Sequence, residues 1–375
     1  MIQVAASASE PTWLRLAGAR RYAAAVKLLF LFFLGALAAT AADPMSTASL
    51  PPTRLRFGSV TFYSENDKYF AGTDQHYTNG FKLSALSADL TNFTSAPVPA
   101  VVQQVARTLD RLVPPGHDCK LGLALGQNIY TPVDTATTAP QPNDRPYAAW
   151  LYASAAFQVY HPPRVFASGL RGIAQLDTLE VSVGLVGPGA LGRQVQNNFH
   201  DVIGVAHANG WRNQLHHEPG LALALERKWR LASVHARDGF GADFIPHVGA
   251  TAGNIFTFAN AGAEFRAGWH LPADFGTNLI RPSGDSNSRR RAPWSAFVFL
   301  STEGRAIARD VTLDGNTFRS SPHIAKEAFV ADALGGLALG TTRWQFNYAQ
   351  ALRTKEFKGQ VKASVFGSIS ATLYY

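Results

Sequence analysis

The chain has a single cysteine, Cys119, in 375 residues. One thiol excludes a disulfide framework and a thiolate-rich metal cage. Long apolar runs are almost as scarce. The only candidate, Leu28–Leu37, is shorter than the ~20 residues a spanning helix needs. No stretch after residue 42 is apolar enough to take its place. The mature chain therefore crosses a membrane by strands or not at all. No repeat at a 20–50-residue period is present and no domain-scale linker, so a solenoid or a multidomain array is excluded. A basic surface interleaved with aromatics is also missing. The one dense cationic cluster, Arg289-Arg290-Arg291, sits in a Gly/Ser/Asn-rich stretch, 281–293. Nucleic acid is therefore not an expected partner.

Residues 1–42 read as an export signal. Arg15, Arg20, Arg21 and Lys27 precede the apolar run, and Ala39-Thr40-Ala41 offers a small-x-small cleavage site. Residues 43–375 are then one domain, with 43–53 loop-like by composition. The formal charge of +8 falls to about +5 without the leader. That excess suits an anionic partner such as a phosphorylated lipid.

The remaining chain reads as short alternating segments between turn signals. Strands are expected at 55–64, 76–86, 120–129, 148–160, 176–186, 220–232, 240–253, 256–270, 294–308, 325–339, 342–353 and 361–375. Leu179, Val181, Val183 and Leu185 oppose Thr178, Glu180, Ser182 and Gly184. Leu221, Leu223 and Leu225 oppose Ala222, Ala224 and Glu226. One apolar face and one small or polar face suit a strand between lipid and lumen. Water-soluble sandwiches alternate too. The balance is tipped by the scarcity of long helices and by the terminal SISATLYY, where Ile369, Ala371, Leu373 and Tyr375 share a face. Tyr147, Trp150, Tyr152, Trp269, Trp294 and Trp344 lie near strand ends, where interfacial girdles form. The expected fold is all-β: a closed twelve-stranded antiparallel transmembrane barrel, monomeric, in a bacterial outer membrane.

Two segments break the pattern. Val101–Leu112 is a short helical stretch bracketed by Pro97, Pro99, Pro114 and Pro115. Leu191–Asn209 is a longer one. Leu191, Val195, Phe199, Val202, Ile203 and Ala206 make an apolar stripe, with Gln196, His200 and His207 on the neighbouring face. Asn209-Gly210 is its expected stop. The helix is expected to lie over the barrel wall as an extracellular loop, with His200 a candidate base that Gln196, one turn earlier, can orient.

The most polar stretch is Ser64–Ser84. It holds Asn66, Asp67, the turn Gly72-Thr73-Asp74 and Tyr77-Thr78-Asn79-Gly80. Oxygen-bearing groups crowd the mouth of one strand pair, as a hard cation or an ester-hydrolysis site requires. A solvated surface hairpin has the same composition. Parity counted back from Lys82 and Ser84 aims Thr78 at the lumen.

Five motifs together resemble the outer-membrane lipid A 3′-O-deacylase family across essentially the whole mature chain. They are Ser64-Glu65-Asn66-Asp67, Gly72–Gly80, Asn143-Asp144-Arg145-Pro146-Tyr147-Ala148-Ala149-Trp150-Leu151-Tyr152, Gln196-x3-His200 and Leu313-Asp314-Gly315-Asn316-Thr317-Phe318. The resemblance implies a twelve-stranded barrel, a site between its wall and an extracellular helix, and Ca²⁺-dependent removal of the 3′ acyloxyacyl chain of lipid A. It places the catalytic histidine on His200, its helix partner on Gln196, the Asn-Asp pair on Asn66 and Asp67, and the hydroxyl on Thr78. Ala149 departs from the family's usual Gly. No lysine matches the family's basic residue, and Arg145 stands in for it. Arg145, Tyr147 and Lys82 are the expected substrate contacts.

The chemistry agrees with this reading. Ester hydrolysis without a Ser or Cys nucleophile needs an activated water, and an imidazole can take its proton. A Ca²⁺ held by oxygen ligands, Asp67 among them, can stabilise the developing negative charge. Asp67 could instead orient His200. Two rival functions stay open: a structural or pore-forming barrel without activity, and an outer-membrane phospholipase.

Overall fold

The computed structural model describes residues 55–375, apart from 68, 70–75, 115, 164–171, 232, 237, 278–279 and 286–291. The expected export signal, the loop-like 43–53 and the arginine cluster lie outside the described residues.

Twelve long strands follow one another around a closed antiparallel sheet. They are β1 (Phe57–Asn66), β2 (His76–Ser87), β3 (Asp118–Thr131), β4 (Ala148–His161), β5 (Ala174–Val186) and β6 (Glu218–Arg230), then β7 (Phe240–Gly253), β8 (Phe256–Trp269), β9 (Trp294–Asp310), β10 (Phe329–Thr341), β11 (Trp344–Arg353) and β12 (Ser364–Tyr374). β1 pairs with β12, from Ser59↔Tyr374 to Asn66↔Gly367. β6 pairs directly with β7, from Ala222↔Gly253 to Lys228↔His247. A three-residue strand, Ser233–His235, extends that seam against β7. No edge is left to pair with another chain. Both ends of the barrel lie at one rim, here the lower. Among the described residues no helix is long and apolar enough to cross a membrane.

Alternation decides which way each side chain points. On β5, Thr178, Glu180 and Ser182 are buried in the lumen while Val183 is half exposed outside. On β6, Ala222, Ala224 and Glu226 are buried and Leu221, Leu223 and Leu225 face out. The apolar side is the exposed one, which inverts the rule for a water-soluble protein and fits a lipid-facing wall. Trp269, Trp294, Trp344 and Tyr375 are exposed at the lower rim as a girdle. Trp150 and Tyr152 do not belong to a girdle. They fall on the lumen parity of β4 and are buried. Gly220 and Gly126 face their rings, where an added Cβ would lie 2.2 Å from Trp150 and 2.4 Å from Tyr152.

The lumen is filled by charge and by the β8–β9 loop. Stretch 281–293, expected as an ordinary loop, folds inward in its described part. Thr277 donates its backbone N–H to Glu264 at 3.0 Å, and Ile280 does the same to Glu65 at 3.0 Å. Arg281 is ion-paired to Glu226, and Ser283 N–H reaches Glu180 at 2.9 Å. Asp285 accepts from Lys82 and Ser84, both at 2.9 Å, and from Tyr63. Glu264, Glu65, Glu226 and Glu180 of the wall thus each meet a donor from the loop, and the loop's Asp285 meets donors from the wall. Such pairing is what makes buried charge tolerable. A cavity of about 130 Å³ remains above this fill.

The two expected helices are present. α1 (Ala100–Asp110) packs Val102, Val105 and Leu109 with Phe93 and the outward Phe157 of β4. α2 (Gly192–Ile203) is shorter than expected. Gly204, in the left-handed region at φ 70°, caps it and donates its N–H to the His200 carbonyl. Asn209-Gly210 instead opens a short 3₁₀ turn, Gly210–Asn213.

Candidate functional site

The site is built on the outer face of β1–β4 at the upper rim. Register aligns Asn66 of β1 with Asn79 of β2, Asn79 with Ile129 of β3, and Ile129 with Ala149 of β4. Glu65 points into the lumen, so this row points outward, yet Asn66, Asn79, Ile129 and Ala149 are all buried. Something therefore covers the wall here. Tyr69 covers one end, with its hydroxyl 2.8 Å from Ser64 Oγ. The segment from Pro188 to Leu215 covers the other.

α2 lies across β3 and β4 with an unusual face inward. Gln196 and His200 are buried, at 2% and 3% exposure, whereas Val202 is 82% exposed. Gln196 and His200 look at the wall and Val202 looks away from it, while Val195 packs on the wall beneath the helix. Beneath it Ile129, Tyr147, Ala149, Ala190, Ala208 and Trp211 form a small apolar floor. An added Cβ at Gly192 would meet Trp211 at 2.5 Å and the Ala149 Cβ at 2.6 Å. Gly192 is thus what lets α2 sit on the methyl of Ala149.

His200 Nδ1 lies 2.6 Å from the Ala206 carbonyl oxygen. A carbonyl only accepts, so Nδ1 carries the proton, and Nε2 is the nitrogen able to receive one. Gln196 Oε1 accepts from Trp211 Nε1 at 2.7 Å, and Gln196 Nε2 is buried without a hydrogen-bond partner among the described residues. His207 lies beyond Gly204, off the helix, and bonds the exposed Asp201 at 2.6 Å. It does not share the face of His200.

Thr78 also departs from expectation. β2 carries a bulge between Tyr77 and Asn79. The extra residue resets the parity counted from Lys82 and Ser84. Tyr77 takes the lumen position and donates to Glu65 Oε2 at 2.8 Å. Thr78 Oγ1 lies 2.6 Å from Thr131 Oγ1, on the outer side of β3. The hydroxyl thereby joins the row of Asn66 and Asn79 rather than the lumen. Asp67 follows directly, buried, with its N–H 3.5 Å from the Thr78 carbonyl.

The cationic candidates belong elsewhere. Arg145 is fully buried, bonded to Glu356 and Thr312 at 3.1 Å each and stacked over the lumen-facing Tyr130 at 4.7 Å. Lys82 is held by Asp285 inside the barrel. Lumen parity and these partners remove both from the outer site, so neither is placed as a substrate contact. Tyr147 stays, in the floor, its ring 5.0 Å from that of Trp211.

Several contributing residues carry no catalytic-looking signal in the sequence. Trp211, Asn197 and Thr131 act through hydrogen bonds that only the fold brings together. The Leu313–Phe318 motif is a latch rather than a reactive group. Asn316 accepts from His216 N–H at 2.8 Å and donates to the His216 carbonyl at 3.0 Å, while Thr317 N–H reaches Glu218 at 2.8 Å.

Asp67, the carboxamides of Asn66 and Asn79, and the hydroxyls of Thr78 and Thr131 give an oxygen-only donor set without thiol or imidazole. Asn79 Oδ1 is buried with no hydrogen-bond partner among the described residues. Such a set fits a hard cation. The only cluster of three carboxylate and imidazole groups close enough to share an ion, among the described residues, is Glu226, His247 and Glu303. It lies in the lumen, and Arg281 already neutralises it.

The family model described as "Outer membrane protein LpxR" matches residues 28–375. Among solved structures, LpxR from Salmonella typhimurium is similar at a TM-score of 0.66 and 18% identity, over 84% of this chain and all of that one. A weaker likeness, at TM-score 0.44 and 7% identity, extends over 86% of this chain and all of the β domain of the Bordetella autotransporter BrkA. Among curated proteins, none matches the chain in sequence.

Proposed function

Because the chain belongs to the LpxR family of outer-membrane proteins, we propose that it is a lipid A 3′-O-deacylase. It hydrolyses the 3′-linked acyloxyacyl ester by a water that His200 activates, and it acts as a monomer after residues 1–42 are removed. One observation carries this reading: α2 turns Gln196 and His200 onto a buried polar row of the outer wall while Val202 faces away. Buried polar groups on the outer wall at the upper rim suit a lipid ester and have no use in a passive barrel.

The residues divide the work. His200 Nε2 takes a proton from water, since Nδ1 is committed to Ala206. Gln196, fixed by Trp211, keeps an amide N–H₂ to orient the water or the ester. Thr78 and Thr131 offer hydroxyls to the same face. Asp67, Asn66 and Asn79 would hold a Ca²⁺, which when bound supplies a positive charge for the oxyanion. The exposed Val202 of α2 would lie beside the acyl chains.

Mass spectrometry of lipid A from cells expressing the chain tests the reading. Loss of the 3′ acyloxyacyl mass is expected. Intact lipid A with cleaved glycerophospholipid would replace the substrate, and unchanged lipids throughout would leave a passive barrel.

A further inference from the structure

A histidine that acts as a base needs its other nitrogen held. In many sites a buried carboxylate does this. Here the holder is a main-chain carbonyl, that of Ala206, at 2.6 Å from His200 Nδ1. Ala206 lies in no regular element. It sits in the return 204–209, after the helix has ended at Gly204. Val205 N–H reaches back to the His200 carbonyl at 3.0 Å, which ties down the start of this return. Its far end, beneath the helix, needs a hold of its own.

Asn197 supplies that hold. It lies one residue after Gln196 and three before His200, one turn back on the same side of α2. Its Oδ1 accepts from the Ala208 N–H at 3.0 Å, and its Nδ2 points to the Ala208 carbonyl at 3.5 Å. A carboxamide that bonds both main-chain groups of one residue fixes its orientation as well as its position. Asn209 N–H then bonds the Thr135 carbonyl at 2.8 Å, which anchors the next residue to the β3–β4 loop. The Ala206 carbonyl is therefore suspended between the helix cap on one side and Ala208, gripped by Asn197, on the other.

We propose that Asn197 is a positioning residue for the hydrolysis. It holds the 206–208 turn so that the Ala206 carbonyl receives the His200 Nδ1 proton and the imidazole is fixed in the tautomer whose Nε2 serves as the base. The proposal rests on His200 being that base. It requires Asn197 to touch neither substrate nor metal. Its loss should therefore slow the chemical step and leave substrate binding alone.

The test uses the full-length barrel, with refolded state checked by heat-modifiable gel migration and release of the 3′ acyl chain followed at several lipid A concentrations. Asn197→Leu keeps the volume and removes both bonds; Asn197→Ala repeats the loss if the leucine prevents folding. Each should lower kcat by about 10–100-fold, the cost of a misplaced catalytic group, with KM within about twofold of wild type. Asn197→Asp keeps the acceptor for Ala208 N–H and should recover most of the lost kcat. A His200→Ala control separates the two readings. If His200→Ala is inactive while Asn197→Leu turns over at the wild-type kcat, the positioning role is wrong and the base stands. A rise in KM with kcat kept, or an aspartate as slow as the leucine, also overturns it. If His200→Ala remains active, the base falls, and the role of Asn197 falls with it.

Discussion

At the scale of single residues, the site is set by where protons can sit. His200→Ala should lower turnover by about 10²–10⁴-fold, the usual cost of losing a general base. It should destabilise the fold by only about 1 kcal/mol, the net worth of the bond to Ala206. Gln196→Ala should cost less activity, since it removes orientation but no proton acceptor. His207→Ala, beyond the helix cap and exposed, should behave as wild type. Acyl release by the three folded variants, ranked in that order, is the measurement; a His207→Ala defect as deep as that of His200→Ala would upset it. A second histidine makes the loop sensitive to pH. His217 Nδ1 accepts the Gly189 N–H at 3.1 Å, so it must be neutral. Burial, with His216 and Arg319 adding repulsion, holds its pKa below 6.5. The folded loop then binds fewer protons than the unfolded one, and its stability is complete above about pH 6.5 and falls as pH drops towards the lowered value. Limited proteolysis within 187–217 should speed up across that window, and His217→Gln should flatten the dependence.

The elements show what can be read from a sequence and what cannot. Period-two alternation located all twelve strands, because a wall between lipid and lumen enforces it at every residue. The same rule misplaced Thr78, since one bulge after Tyr77 shifts parity without leaving a mark in composition. It also assigned Trp150 and Tyr152 to a girdle, although the glycines that admit their rings lie on neighbouring strands. Gln196 and His200 were legible as a helical pair. The turn that holds His200 was not, because it uses main-chain groups, which every residue has. Arg145 was expected as a substrate contact in place of the family's lysine; its partners Glu356 and Thr312 are 211 and 167 residues away in the chain. The seating of α2 gives a prediction at this scale. Gly192→Val would drive side-chain atoms into Trp211 and Ala149. Acyl release should fall at least tenfold while the heat-modifiable barrel remains. Pairing the change with Ala149→Gly should restore part of it, since one of the two clashes is relieved; no recovery at all would mean that the Trp211 contact alone decides the seat.

The whole molecule is a barrel whose candidate site lies outside its wall and whose bore is occupied by the β8–β9 loop. If the oxygen set around Asp67 holds Ca²⁺, excess EGTA should abolish acyl release and Ca²⁺ should restore it. Zn²⁺ should not, because the described residues there offer no Cys or His cage. Full activity in EGTA would refute the metal. The bore makes a separate prediction. Arg281 and Asp285 hold the β8–β9 loop to Glu226 and Lys82, so planar bilayers carrying the purified protein should show no steady conductance. Asp285→Ala, which leaves the Lys82 ammonium buried without its partner, should destabilise the barrel by about 3–5 kcal/mol, read as a lower unfolding midpoint in urea. This internal stopper has a consequence for the cell that makes the protein. Many copies could stand in the outer membrane without opening a route for small hydrophilic antibiotics, so the amount of this protein could be raised without weakening the envelope as a barrier.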